Sequence, residues 1–472
     1  MKPTRFVFSV FLFLFAVQPF SFSADLFDAK TIAHAAKLRQ AALEKNHAYD
    51  LVESLTVEVG PRPAGSEADR RAVAWAEAKL KKLGFDAVYT EEVPVTHWER
   101  GEEEAMITLP FPQKLHVTAL GHSIGTPELG LEAEVVEVAS LEALTQMPAD
   151  KIRGKIVFIN HPMEKSRDGS TYGKTVPGRV RGAVEAARLG AVGIIIRSVG
   201  TDSHRFAHTG MMRYQDDVAR IPAAAISNPD ADMLHLQFGY GVPVRLHMRL
   251  TCRLLGQQMS ANVIGEIKGR DKPEEVVVIG AHLDSWDLGT GALDDGAGVG
   301  IVVAAAKVIK DGGKRPSRTI RVILFANEES GLEGAQAYVL RHRQELDRII
   351  VGAESDFGAD RVWRFSTRVQ PDALPIMDEI AKVLAPLGIE RGDNEAFGGP
   401  DMTPFRLSGV PVVSLIQDGT DYFDFHHTAD DTLDKVDPEK LSQNVAAYVV
   451  FAYMAAEAPT HFGRIEMTPS SP

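Results

Sequence analysis

GAHLDSWDLGTGALDDGAGVG, residues 280–300, sets one histidine and two adjacent aspartates among glycine-rich turns, directly after the apolar stretch Val276–Ile279. A hydrophobic strand ending in His282, followed by a helix that starts at the acidic glycine loop around Asp294 and Asp295, would bring imidazole and carboxylate ligands to one sheet edge. Zinc sites are built from such ligands. Further on come Glu328-Glu329 after the apolar run ending at Phe325, then Glu354-Ser-Asp356, then His426-His427. Together these residues suggest two metal ions bridged by one carboxylate.

The surrounding chain sets the fold expectation. From Ser260 onward, short apolar runs at Val276–Ile279, Ile320–Phe325, Ile349–Ala353 and Val410–Ile416 read as buried parallel strands. Helical stretches at Ala297–Lys310, Glu333–Glu345, Ala373–Leu387 and Glu439–Ala456 separate them. The expectation is an α/β fold, a mostly parallel sheet with helices on both faces, and ligands in such sheets sit beyond the carboxyl ends of the strands. Residues 24–84 read as helical, with strand-like material at Ala87–Pro94 and Ala105–Leu109. Between Gln113 and Gly256 the texture changes to short β-like runs, a helix near Arg179–Leu189 and many turn residues. The expected layout is residues 24–112 and 257–472 as the catalytic domain, with an α/β lobe, 113–256, inserted in it.

The first 23 residues carry Lys2 and Arg5, an apolar run from Phe6 to about Val17, and small residues Ser21 and Ser23 before Ala24. That is the anatomy of a secretory signal peptide, with an apolar run shorter than the roughly 20 residues a membrane span needs. The expectation is export to the periplasm or the extracellular space, with no membrane span after cleavage. Removing two basic residues shifts the net charge from −13 to about −15. Such a chain without a basic stripe excludes nucleic acid as the expected partner. Cys252 is the only cysteine, so no internal disulfide forms, and we assign it no chemistry.

Each candidate ligand has an ordinary explanation by itself: a core histidine, a helix cap, a solvated helix start. Five at successive strand ends are a different matter. Two-metal hydrolytic sites hold their ions about 3.5–4 Å apart and need a bridging carboxylate with two further ligands for each ion. His282, Asp294, Glu329, Asp356 and His427 meet that count.

With HLDSWD, GALDDGAG, ANEESGLEG, ESDFG and FHHTADDT, and GPRPAGSEA at residues 60–68, the sequence resembles the co-catalytic zinc exopeptidases, the family of bacterial leucine aminopeptidases and glutamate carboxypeptidase. The resemblance covers nearly all of the chain after residue 23. It implies two zinc ions per chain, one held by His282 and Asp356, the other by Glu329 and His427, with Asp294 bridging. It further implies Glu328 as general base, Asp284 as the partner that fixes the His282 imidazole, and a cis peptide between Asp294 and Asp295. The family's ligand lies four residues before an Asp-Thr pair, here Asp431-Thr432, which selects His427. Many relatives carry tyrosine where this chain has His426, so His426 either takes over an oxyanion-stabilising role or supports its neighbour. The inserted lobe resembles a protease-associated domain, which shapes substrate access and supplies no chemistry. His122, His204 and His208 within it read as scattered surface histidines.

The expected substrate is a short peptide. The branch with the strongest resemblance is named for carboxypeptidase activity, which tilts the expectation toward a dipeptidase, with an aminopeptidase as the alternative. Glu395 or Asp401, in the loop 394–404, would suit a free α-amino group. A homodimer is compatible with this reading. Three competing classes fare worse. Gly121-His-Ser-Ile-Gly125 matches the G-x-S-x-G elbow of serine hydrolases, but Pro127 and Gly130 stand where the elbow's helix should run. A receptor on the same fold would have lost a ligand or the base, and this chain has lost none. Aminoacyl cyclisation goes with a single metal, which five ligands argue against.

Overall fold

The four apolar runs form the centre of an eight-stranded sheet in the computed structural model, which describes residues 26–465. The signal-peptide expectation and the tail after residue 465 lie outside the described residues. Three helices come first, α1 (Ala29–Glu44), α2 (Ala48–Glu58) and α3 (Glu67–Lys82). Asp28 caps α1 by accepting from the Thr31 N–H, and Ser66 caps α3 by accepting from that of Asp69. β1 (Ala87–Glu99) then enters the first sheet.

The chain next builds a second eight-stranded sheet. Its elements are β2 (Glu103–Leu109), β3 (Gln113–Leu115), β4 (Val117–Ala119), β5 (Leu131–Val138), α4 (Leu141–Thr145), α5 (Ala149–Ile152), β6 (Ile156–Ile159), α6 (Tyr172–Arg188), β7 (Gly193–Arg197), β8 (Ala223–Ile226), α7 (Asn228–Phe238) and β9 (Arg245–Leu250). The strand order is β3-β2-β9-β5-β6-β7-β8-β4. The chain returns along β10 (Arg253–Ile267), which pairs antiparallel with all of β1, from Ala87↔Glu266 to Glu99↔Arg253. The second sheet therefore leaves and re-enters through one two-stranded ribbon. Its edges differ from the expected 113 and 256: Glu103–Leu109 belongs to it, because β2 pairs with β9 from Glu103↔Leu250 onward, and residues 253–256 belong to β10.

The rest of the first sheet follows as β11 (Lys272–His282), α8 (Ala297–Asp311), β12 (Arg318–Phe325), α9 (Glu333–Arg341), β13 (Ile349–Glu354), β14 (Val362–Arg368), α10 (Leu374–Leu384), β15 (Glu390–Arg391), α11 (Met402–Leu407), β16 (Val412–Gln417) and α12 (Pro438–Glu457). The order is β1-β10-β12-β11-β13-β16-β14-β15. The neighbours β12, β11, β13 and β16 run parallel, while β1, β10 and β14 pair antiparallel on the flanks.

Both faces of the central strands are covered, which is why their sequences are continuously apolar instead of alternating. Val277, Ile279 and Ala281 of β11 pack with α8 and α12, whereas Val276 and Val278 pack with α9 and α11. From Val445 to Ala456, α12 is buried all round, and a helix apolar on every side belongs in a core. Gly298 sets how closely α8 approaches β13: a Cβ there would stand 2.0 Å from the Ser355 carbonyl oxygen and 2.2 Å from Asp295 Oδ1. Any side chain at 298 would push the helix start off the strand end where Asp356 follows.

Candidate metal centre and cleft

His282 ends β11, Glu328 and Glu329 follow β12, Asp356 lies two residues beyond β13, and His426-His427 come after β16. These are the four parallel strands, so the ligands gather because one sheet edge gathers the carboxyl ends. Asp294 arrives from the glycine loop between β11 and α8, where the Asp294–Asp295 peptide bond is cis.

The two oxygens of Asp294 face different imidazoles. Oδ1 lies 3.2 Å from His282 Nε2 and Oδ2 lies 3.2 Å from His427 Nε2. Asp356 Oδ1 is 3.5 Å from His282 Nε2, and Glu329 Oε2 is 3.1 Å from His427 Nε2. His426 Nε2 is 3.6 Å from Asp294 Oδ2, and its ring stacks on His427 with centroids 3.5 Å apart. His427 meets two carboxylates while His426 meets one, so His427 is the better placed of the two.

Charge is concentrated here. Burial disfavours charge on His427, but Glu329 and Asp294 outweigh it and push the imidazole up to about 9. His282 is raised well above its usual range against burial, by Asp284, Asp294 and Asp356. Asp294 is held well below the carboxylate range, again against burial, by the two imidazoles. Burial and the nearby Asp356 charge hold Glu328 well above that range, and burial also raises Glu329. Burial and the neighbouring His427 push His426 well below its usual range, toward the neutral ring.

Several residues hold this cluster in place. Asp284 accepts the N–H of Glu328 at 3.1 Å and of Glu329 at 3.4 Å, while its own backbone carbonyl lies 3.1 Å from His282 Nδ1. Its carboxylate is 3.5 Å from the same nitrogen. Asp295 accepts from the N–H of His282 at 3.1 Å and of Gly298 at 3.0 Å, so both its oxygens serve the backbone. Asp431 accepts from the N–H of Leu293 at 2.6 Å and of Asp294 at 3.2 Å, and burial with the Asp294 charge pushes it up to about 7. The buried Arg62 guanidinium donates to the carbonyls of Leu283, Thr290 and Gly291, tying down the loop that carries Asp294.

The inserted lobe reaches this centre through His208, which corrects the reading of that residue as a surface histidine, whereas His204 is exposed. His208 is buried between Asp202 Oδ2 at 2.6 Å and the carbonyl oxygen of His426 at 2.7 Å, and the Thr209 carbonyl lies 3.3 Å from His427 Nδ1. His122 is largely buried as well, and burial depresses its pKa. Sequence spacing gave no signal for Asp202, His208, Thr209 or Arg62, because they act across long sequence separations. Asp431 was visible only as a spacing landmark.

The serine motif is spent on structure. Ser123 is fully buried; its hydroxyl accepts from the Ala223 N–H at 2.8 Å and donates to the Ile124 carbonyl at 2.9 Å. Cys252 is buried, its thiol pushed up to about 11 by burial. Asp401 is also fully buried and is not among the residues that line the cleft. Its N–H donates to Glu354 Oε2 at 2.7 Å, and burial with the Asp356 charge pushes Glu354 up to about 8. Glu395 stands on the cleft wall in an ion pair with Arg368.

The donor set fits zinc. It holds only imidazole nitrogen and carboxylate oxygen, and ligand atoms about 2.0–2.2 Å from a tetrahedral ion lie roughly 3.3 Å apart. The buried Asp294 Oδ2 and Glu329 Oε1 make no hydrogen bond, a costly state for carboxylate oxygens unless a cation satisfies them. A cleft of about 780 Å³ opens onto this centre, lined by Glu328, Asp356 and His427 from the first sheet's side and by Tyr172, Arg179 and Met211 from the lobe. That volume lies within the usual range for small-ligand sites, about 300–1,000 Å³.

Comparison with known proteins agrees with this geometry. The profile of peptidase family M28 matches residues 262–452. Carboxypeptidase Q of Rattus norvegicus is 40% identical over 413 residues, 88% of this chain and 86% of the relative. The crystal structure of a peptidase M28 precursor from Shewanella amazonensis SB2B superposes with a TM-score of 0.92 at 52% identity, over 94% of this chain and 100% of the other. An aminopeptidase from Aneurinibacillus sp. strain AM-1 shares the fold, with a TM-score of 0.63 at 23% identity over 93% and 98% of the two chains. With its motifs, its strand-end cluster and a relative this similar over almost the whole length, the chain belongs to peptidase family M28, within the zinc exopeptidases that its sequence resembles.

Proposed function

We propose that the protein is an exported dinuclear zinc exopeptidase that hydrolyses short peptides, chiefly free dipeptides. The observation that carries this reading is Asp294, whose two oxygens face His282 and His427 separately. His282 and Asp356 would hold one zinc ion, Glu329 and His427 the other, with Asp294 shared and Asp284 fixing the His282 ring. When bound, the zinc pair lowers the pKa of the attacking water toward neutrality and polarises the scissile carbonyl.

Glu328 takes the water's proton as it attacks the carbonyl carbon, and the same carboxyl delivers that proton to the leaving amine. The backbone grip of Asp284 keeps Glu328 and Glu329 in register, one as base and one as ligand. The lobe, which resembles a protease-associated domain, walls one side of the cleft and favours short substrates. Among the described residues no helix is long and apolar enough to cross a membrane. Export rests on the basic, then apolar, then small-residue order of residues 1–23.

The test is a panel of free dipeptides, N-blocked dipeptides and C-amidated peptides with zinc present. Fastest turnover of the free dipeptides is expected. Faster turnover of C-amidated peptides would make the protein an aminopeptidase. Full activity after exhaustive dialysis against chelator would end the zinc reading.

A further inference from the structure

Arg100 is buried at the point where the chain leaves β1 for the inserted lobe. One side of its guanidinium meets the loop that follows His282. Nε donates to both oxygens of Asp287 at 2.9 Å, and Nη2 donates to Oδ1 at 2.7 Å. The other contacts go to the lobe. Nη1 reaches Glu103 Oε1 at 2.9 Å, Thr118 Oγ1 at 2.5 Å and the Ala119 carbonyl at 2.8 Å, and Nη2 reaches Thr209 Oγ1 at 3.1 Å. A buried guanidinium between two carboxylates, one from each side, is a clamp whose geometry is set by a rigid planar fork.

Both jaws of this clamp lie against His427. On the lobe side, the Thr209 hydroxyl accepts from Arg100 and donates to the Ala119 carbonyl at 2.9 Å. The backbone of Thr209 then grips His427 twice: its N–H donates to the His427 carbonyl at 3.0 Å, and its own carbonyl lies 3.3 Å from Nδ1. On the other side, Trp286 precedes Asp287 and packs against the His427 ring with centroids 5.8 Å apart. Gly121 of the lobe leaves room for this indole, since a Cβ there would stand 2.0 Å from Trp286 Cη2. His282 is held differently. Its Nδ1 faces the Asp284 carbonyl, and the Asp284 carboxylate is fixed by the N–H groups of Glu328 and Glu329.

We propose that Arg100 is a positioning residue that, by clamping Asp287 to the lobe, sets the His427 imidazole between Thr209 and Trp286 and so decides how tightly the zinc ion at His427 is held, while the ion at His282 is spared. This inference rests on the two-zinc reading of the centre. It makes docking of the lobe and binding of one of the two ions linked equilibria, each strengthening the other.

The experiment measures zinc content and affinity at buffered free zinc for the wild type, Arg100→Lys and Thr209→Val. Each substitution is also placed in a His427→Ala background, and Tm is recorded alongside. Arg100→Lys keeps the charge but loses the fork, so it cannot reach Asp287, Glu103 and Thr209 together. Thr209→Val cuts a single link of the clamp, and it serves if the lysine variant does not fold. Arg100→Lys should weaken one of the two ions about ten- to hundredfold, the range for losing a group that orients a ligand, and Thr209→Val should weaken the same ion by less. In the His427→Ala background both should leave the affinity of the remaining ion within about twofold, as expected of independent sites. Unchanged affinity for both ions in the folded variants would overturn the inference. Equal weakening of the two ions would also overturn it, as would weakening that persists without His427, because a general loss of stability does both. A wild type that holds no zinc refutes the two-zinc reading and this inference with it, whereas two tightly held ions indifferent to Arg100 refute the inference alone.

Discussion

His208 Nδ1 and the carbonyl oxygen of His426 are 2.7 Å apart, and this contact joins the inserted lobe to the loop that carries His427. The other ring nitrogen of His208 meets Asp202 at 2.6 Å, so the ring is gripped from both sides. His427 itself has a positive φ of 62°, a conformation that non-glycine residues seldom adopt and that surrounding contacts must enforce. The lobe is part of what shapes the metal centre, although it supplies none of the five proposed ligands.

Replacing His208 by alanine should lower zinc affinity about 10- to 100-fold, the usual effect of losing a partner that orients a ligand. Leaving Asp202 and the His426 carbonyl without their donor should also cost about 2 kcal/mol in stability. Competition with a chelator and urea unfolding measure the two effects. Unchanged zinc affinity would mean that His427 is positioned without the lobe.

Elemental analysis should find two zinc ions per chain. His282→Ala and His427→Ala should each lower that number toward one, and Asp294→Ala should lower occupancy at both positions. An Asp294→Ala protein that keeps two tightly held ions would rule out the bridging role.

Glu328→Gln should keep its zinc and much of its substrate affinity while kcat falls about 10²–10⁴-fold, the range for general acid–base catalysis. The amide is nearly isosteric but cannot carry the proton. A mild loss of kcat, or loss of metal with it, would place the base elsewhere.

Asp86 offers a pH test far from the metal. Lys310 and Arg315 contact its carboxylate at 2.8 and 2.7 Å, and the Lys268 N–H donates at 2.9 Å. Burial opposes its charge, yet these partners pull it down to about 2. A depressed folded pKa gives stability that is present above the unfolded value near 3.9 and lost as pH falls toward 2. Asp86→Asn should therefore cost about 1 kcal/mol at neutral pH, a figure reduced for solvent screening. The Tm gap to wild type should hold above pH 5 and narrow at pH 3. A gap that does not depend on pH would mean the loss is packing and not charge.

A walled cleft should discriminate by length. Dipeptides should be hydrolysed well ahead of decapeptides of the same terminal residues. Comparable kcat/KM on decapeptides would show that the lobe leaves the cleft open at that side.

The sequence by itself was enough for the central strands and their helices, and it nominated the five candidate ligands, because these readings rest on local signals. Apolar runs buried on both faces, ligands at the ends of successive strands and glycines around Asp294 are all legible within a few residues. The flanking strands were less so: half of β10, from Arg253 to Met259, is exposed and carries no apolar alternation. Its partner β1 lies across the whole inserted lobe, and the same long separation hid the pairing of β2 with β9. Only the tertiary structure decided what surrounds the ligands. Arg62 on the loop before α3, His208 after β7, and Arg179 on α6 reach the centre through contacts spanning about two hundred residues. A buried polar group takes its partner from whatever the packing brings within hydrogen-bond distance, and nothing in the local sequence encodes that distance.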